Sequence, residues 1–158
     1  MIGEILAAVF GTFAFAVLFG VPGKYYPYCG IIGGCSWIAY LFFERFGTVL
    51  ASLAATVVVV LLSRIMAIRE RCPVTVFLIS GIFPLVPGSY VYWTAYYLVT
   101  DQVGLAATTG YTAVKIAFAI VLGIVFVFEI PQRFFRKVFA RKETVQKQKE
   151  SFSENAGE

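Results

Sequence analysis

Between residues 3 and 131 the chain is a run of apolar stretches separated by breaks of only a few residues, at roughly 3–21, 26–43, 47–67, 74–100 and 110–131. About 20 apolar residues carry a helix across a bilayer. Lipid offers backbone groups no hydrogen-bond partners, so such stretches fold as helices that satisfy their own amides. The pattern therefore predicts an all-α membrane protein with five transmembrane helices. Composition agrees: 59% of residues are hydrophobic and only 14% charged, against about 25% charged in an average soluble domain. The breaks are "PGKYYP", Glu44–Arg45, "SRIMAIRERCP" and "TDQVGLAATTG". Connections this short make successive helices antiparallel neighbours.

The N-terminus has no basic segment and no small-residue cleavage site, and it carries Glu4, so the first stretch reads as a retained span rather than a signal peptide. Orientation follows from the basic residues, which accumulate in short cytoplasmic loops. Arg133, Arg136, Lys137, Arg141, Lys142, Lys147 and Lys149 make up seven of the thirteen Lys and Arg and follow the last span. A cytoplasmic C-terminus and an outside N-terminus put these inside with Lys24, Arg64, Arg69 and Arg71, leaving only Arg45 in an outer loop. A re-entrant 74–100 would send either the tail or the "RIMAIRER" loop outside, so this stretch is expected to cross. The expected division is a five-span domain over 1–132 and a cytoplasmic tail over 133–158. In the tail, Phe134, Phe135, Val138 and Phe139 alternate with basic residues as an amphipathic stub on anionic headgroups. The remainder, ending "SFSENAGE", has a disordered composition.

The fourth stretch contains "FPLVPGSYVYW". Pro84 and Pro87 lack amide hydrogens, so a continuous helix would leave the carbonyls of Ser80 and Phe83 without donors. Phe83 and Val86, each before a proline, are pushed out of helical geometry. Gly88 permits an unusual turn. The fourth helix is therefore expected to break at Pro84–Gly88, near the middle of a stretch about 40 Å long as an ideal helix. Broken helices are tolerated at membrane depth only against protein or a hydrated cavity. One reading is half of a substrate site, with the amides of Ser89, Tyr90 and Val91 and the Ser89 hydroxyl offered to a carboxylate. The other is a kink packed against neighbours. Tyr90 and Tyr92 are expected to line the cavity, whereas Trp93, Tyr96 and Tyr97 read as an interfacial belt.

Lys115 lies about five residues inside the last stretch. It either serves as the partner of a substrate carboxylate or as a proton-sensitive group, or snorkels to the outer surface. Glu129 reads as an interfacial partner of the basic tail, and Glu4 and Asp101 as boundary residues. Small residues four apart (Gly3, Ala7, Gly11; Gly30, Gly34; Gly47, Ala51, Ala55; Ala119, Gly123) predict close helix packing. Cys29, Cys35 and Cys72 read as buried thiols. With no histidine and no metal-like cysteine spacing, the chain has nothing for a metal or another cofactor and little for acid–base or nucleophilic catalysis. An enzyme is not expected. Nothing in the sequence points to nucleic acid.

Alternating access needs two repeats or bundles moving around one site. Five spans with a single broken segment supply one half, so a transporter of this kind requires a second chain, with a homo-oligomer left open.

Pro84-x-x-Pro87-Gly88-x-x-x-Tyr92, in a fourth span after a basic loop and before a last span ending "EIPQR", resembles the threonine/serine exporter family. The likeness covers about residues 3–132 and is to the short chain of the two-component form. It implies proton-driven efflux of a small amino acid, or in some members a dicarboxylate such as succinate, across the plasma membrane together with a larger chain of the same family. Pro84, Pro87, Gly88 and Tyr92 match the motif; Lys115 has no counterpart in it. The expected site set is Pro84, Pro87, Gly88, Ser89, Tyr90, Tyr92 and Lys115. A scaffold or assembly subunit that transports nothing is the alternative.

Overall fold

The computed structural model describes residues 2–130. The order is α1 (Ile2–Leu18), α2 (Tyr26–Phe43), α3 (Thr48–Glu70), α4 (Thr75–Ile82), α5 (Gly88–Val99) and α6 (Val103–Glu129), with 3-10 turns at Gly23–Tyr25, Glu44–Phe46 and Phe83–Leu85. No strand occurs among the described residues. The described chain up to Val127 forms one compact unit. The boundary expected at 132/133 and the amphipathic tail lie outside the described residues.

Local chemistry sets the ends. α1 stops where Gly20 turns to a φ of 66°, and α3 starts after Gly47 at a φ of 113°; both conformations suit a residue without Cβ. Arg71 closes α3 in the left-handed region, its amide and that of Cys72 donating to the Ala67 carbonyl, a common C-terminal cap. The last helix begins at Val103, seven residues before the expected start at 110. Thr108 and Thr109 donate to the Leu105 carbonyl and Thr112 to that of Thr108. Hydroxyls absorbed by the helix's own carbonyls no longer oppose it, so a stretch that looks like a loop continues the helix.

Packing is tightest between α1 and α2. A Cβ on Gly33 would stand 2.0 Å from Thr12 Oγ1, while Gly30 and Gly34 lie against Val9. Gly81 of α4 sits against Val59 of α3 and Ile32 of α2, and Gly123 of α6 sits against Thr56 and the Leu53 carbonyl of α3. Phe77 is fully buried, edge-on to the rings of Tyr25 and Tyr28. One expected stripe does not pack: Gly3 and Gly11 have nothing within 4 Å of a notional Cβ. The cysteines divide as well. Cys29 is buried and Cys72 half-buried, but Cys35 is exposed, because six helical residues turn it to another face of α2.

The interior holds the polar groups and the outside is apolar. Thr12, Ser36, Ser52, Thr56 and Ser80 are buried and each donates to a carbonyl of its own helix. Phe10, Leu18, Phe42 and Phe126 are each about 70% exposed, an arrangement suited to lipid. By length and composition α3 and α6 can each cross a membrane, and α4 with its following turn forms a third candidate with α5, bent by 46°. α1 is apolar but shorter.

Candidate functional site: a cleft at the broken helix

The break occurs at the prolines. After the turn Phe83–Leu85, Val86 is extended (φ −60°, ψ 132°) and Pro87 precedes α5 with ψ 50°. The backbone satisfies itself locally: Val86 N–H donates to Phe83 C=O (3.2 Å), Gly88 N–H to Val86 C=O (2.7 Å) and Val91 N–H to Pro87 C=O (3.1 Å). The Phe83 carbonyl, expected to lack a donor, therefore has one. The Val91 amide, expected to be free, is engaged, which leaves Ser89 and Tyr90 as the first-turn amides ahead of the ladder. No side chain caps this end of α5, the Ser89 hydroxyl included. Gly88 does not have positive φ, and nothing lies within 4 Å of its notional Cβ; the turn is made by Val86 and Pro87.

The level of the break in the bundle follows from its neighbours. Gly81, one turn earlier, meets Val59 near the middle of the 23-residue α3. Phe83 lies on Phe15 of α1 with centroids 4.0 Å apart, and 5.4 Å from Phe19. Pro84 then borders a cleft of about 320 Å³ lined by Glu4, Ala7, Ala8, Gly11 and Phe15 of α1 and Trp37 of α2. The five α1 residues fall at i, i+3, i+4, i+7 and i+11 and so form one helical stripe. Small side chains at its centre leave the space open, with Glu4 at one end and Phe15 at the other. Trp37 is stacked on Tyr40, and its buried Nε1–H has no acceptor.

Of the residues expected at the site, Pro84 lines this cleft and the others do not. Ser89 is exposed and Tyr90 is half-buried against the core. Tyr92 is 64% exposed with its ring against Trp93. Trp93, Tyr96 and Tyr97 form one aromatic cluster. Lys115, exposed near the middle of the 27-residue α6, places its Nζ 4.6 Å from the Tyr111 ring centroid, one turn toward the helix start. α5 meets α6 through Thr94 and Thr109, whose hydroxyls are 3.1 Å apart.

Three residues gain weight that sequence reasoning did not give them. Glu4 and Trp37 belong to the cleft; the stripe from Glu4 through Ala7, Ala8 and Gly11 to Phe15 was its only sequence trace. Arg64, read as a loop charge, is buried within α3 and donates to the Val127 carbonyl of α6. Residue 131, four beyond Val127, is proline and has no amide for that carbonyl. At the start of α2, the Tyr25 side chain raises the pKa of Lys24, first by hydrogen bonding and then by charge, with Glu70 and Cys72 adding to it. The α1–α2 and α3–α4 connections thus share one end of the bundle. Among the described residues no three His, Cys, Asp or Glu cluster as metal ligands.

The family described as Threonine/Serine exporter, ThrE, matches residues 4–130, and the chain belongs to that family, whose members are membrane exporters of the threonine/serine type. No curated protein and no solved structure matches the chain.

Proposed function

We propose that this chain is one subunit of a heteromeric secondary transporter that exports small carboxylate-bearing metabolites, threonine and serine or a dicarboxylate such as succinate, coupled to the proton gradient. In this reading it crosses the plasma membrane five times, with N-terminus outside and C-terminus cytoplasmic, and joins a larger chain of the same family. The observation that carries the reading is the meeting of the break with the cleft: Pro84, in a helix bent by 46°, forms part of a cavity wall beside α1 and α2. Broken helices of this kind are where secondary transporters assemble substrate sites. The orientation is supported by Lys24 feeling Glu70 at the end that also carries Arg69 and Arg71. A partner is favoured by α5, which buries none of its residues, and by Lys115, exposed where an uncovered ammonium is costly.

Co-expression with the larger family chain should lower intracellular threonine, serine or succinate, and neither chain alone should do so. If none of the three changes while the two chains still co-purify, the subunit is a scaffold and the transport reading is wrong.

A further inference from the structure

Between Gln102 and Phe128 the chain carries one charged residue, Lys115. It is exposed near the middle of α6, with its Nζ 4.6 Å from the Tyr111 ring centroid, and no carboxylate of the described residues pairs with it. The contact between α5 and α6 fixes its depth. The Thr94 and Thr109 hydroxyls are 3.1 Å apart, and a notional Cβ on Gly110 would lie 3.2 Å from Thr94, so the cluster of Trp93, Tyr96 and Tyr97 stands beside the first two turns of α6. Aromatic clusters at span ends sit at the level of the headgroups. Lys115, six residues past Thr109, is then about 9 Å deeper, in hydrocarbon, where ionisable groups pair with one another.

Lys115 also lies on a seam. Tyr111, Lys115, Phe118, Leu122 and Val125 recur at alternating spacings of four and three, the pattern by which one helix packs along another. The other four are each at least half exposed. The small residues of α6 face elsewhere: Gly123 lies against Thr56 and the Leu53 carbonyl of α3, and Ala113 and Ala119 are buried. A partner on the seam therefore gains little from close backbone approach and needs polar contacts. A single polar residue on an apolar seam sets register and partner. A second copy is a poor occupant, because copies share one orientation in the membrane and a two-fold axis along its normal brings Lys115 against Lys115.

We propose that the Tyr111–Val125 seam of α6 docks a membrane helix of a second, different chain, and that this helix carries an aspartate or glutamate at the depth of Lys115. The resulting ion pair fixes partner and register. This deepens the heteromeric reading above, on which it rests, by naming the chemistry that recognises the partner.

The test is recovery of the larger family chain with the tagged chain from membranes of cells co-expressing both. Lys115→Met should lower recovery several-fold, Lys115→Arg should preserve it, and Lys115→Glu should lower it at least tenfold. One Asp or Glu to Lys change in a span of the larger chain should restore recovery with Lys115→Glu. The photo-crosslinker benzoylphenylalanine in place of Leu122 should give an adduct with the larger chain. Each variant alone should melt within a few degrees of wild type, which separates lost docking from lost folding. If Lys115→Met and Lys115→Glu leave recovery intact, the ammonium only reaches the membrane surface; if the adduct forms only with a second copy of this chain, the seam is a self-contact. Either result overturns this proposal and leaves the heteromeric reading standing. If wild type recovers no larger chain, that reading falls and this proposal with it.

Discussion

The chain before Pro84 and the chain after Pro87 are built differently. The first part is locked together: α2 lies against α1 through Gly30, Gly33 and Gly34, and Gly81 seats α4 between Val59 and Ile32. The second part has little of this. α5 buries no residue, and α6 buries one stripe, Ala106, Ala113, Ile116, Ala119, Ile120, Gly123 and Val127, while its other faces carry exposed Tyr111, Phe118 and Phe126. Helices gain little from hydrophobic burial against one another in lipid, so close packing and interior hydrogen bonds must hold them. The contrast therefore separates a self-sufficient bundle from a helix pair whose outer surface is free for lipid or another protein. The cleft lies at the joint, with its floor on the packed side and Pro84 on the break.

The largest expected effect tests whether the first part is as tightly locked as its glycines indicate. Gly33→Val puts a branched side chain where even a Cβ would stand 2.0 Å from Thr12 Oγ1, so α1 and α2 must separate. Overpacking of this kind costs about 1–3 kcal/mol, and thermal unfolding of the detergent-solubilised chain should fall accordingly. An unchanged melting curve would show that the α1–α2 contact is looser than described.

Arg64 hydrogen-bonds α3 to the second part, and its loss should come next. Arg64→Met removes the donor to the Val127 carbonyl, for which Pro131 offers no replacement. A buried acceptor left unsatisfied costs about 1–3 kcal/mol. The loss should show as faster hydrogen exchange or proteolysis at the end of α6, with α1 and α2 unaffected; uniform loosening of all helices would mean that Arg64 supports the whole bundle.

Sequence reasoning reached these features unevenly, and the residues show why. The helices and the break were legible because apolar run length and missing proline amides are local properties. Val86 and Pro87 deform the chain where their chemistry says they must, whereas Phe83, expected to leave helical geometry before Pro84, keeps it (φ −54°, ψ −41°) and passes Pro84 in a 3-10 turn. The cleft was not legible, because Glu4, Ala7, Gly11 and Trp37 lie on two helices, and whether a small-residue stripe packs or gapes depends on what stands opposite. At Gly33 the neighbour is Thr12 and the contact closes; at Gly11 there is none within 4 Å and a cavity remains. Arg64 was misjudged for a similar reason. Its place in a basic sequence segment suggested a loop, but α3 continues to Glu70 and turns it inward.

Gly88 gives a smaller effect with the opposite sign. Its backbone is not left-handed and its surroundings are open, so Ala fits. Gly→Ala at a compatible site stabilises by about 0.4–1 kcal/mol through the unfolded chain, and Gly88→Ala should melt slightly higher. Transport by Gly88→Val with both chains present is the sharper readout. Loss of transport with the complex intact means that the open space at Gly88 serves the transport path. Loss of the complex means that the partner occupies it.

Lys115 should give the smallest change in the isolated chain and decides most directly what covers the second part. Its contact with Tyr111 is exposed, and a cation–π pair at such a site is worth about 0.5–1 kcal/mol, so Lys115→Met should barely move the melting of the chain alone. If its ammonium only reaches along α6 toward the membrane surface, the same substitution leaves co-purification with the larger chain unchanged. If the partner covers that face, it must bring an acceptor to a charge that lipid cannot solvate, and Lys115→Met then lowers recovery of the complex several-fold while Lys115→Arg preserves it. A loss with both substitutions would place the requirement in the shape of the lysine, as a ligand for substrate, and move the second part of the chain from docking surface to site.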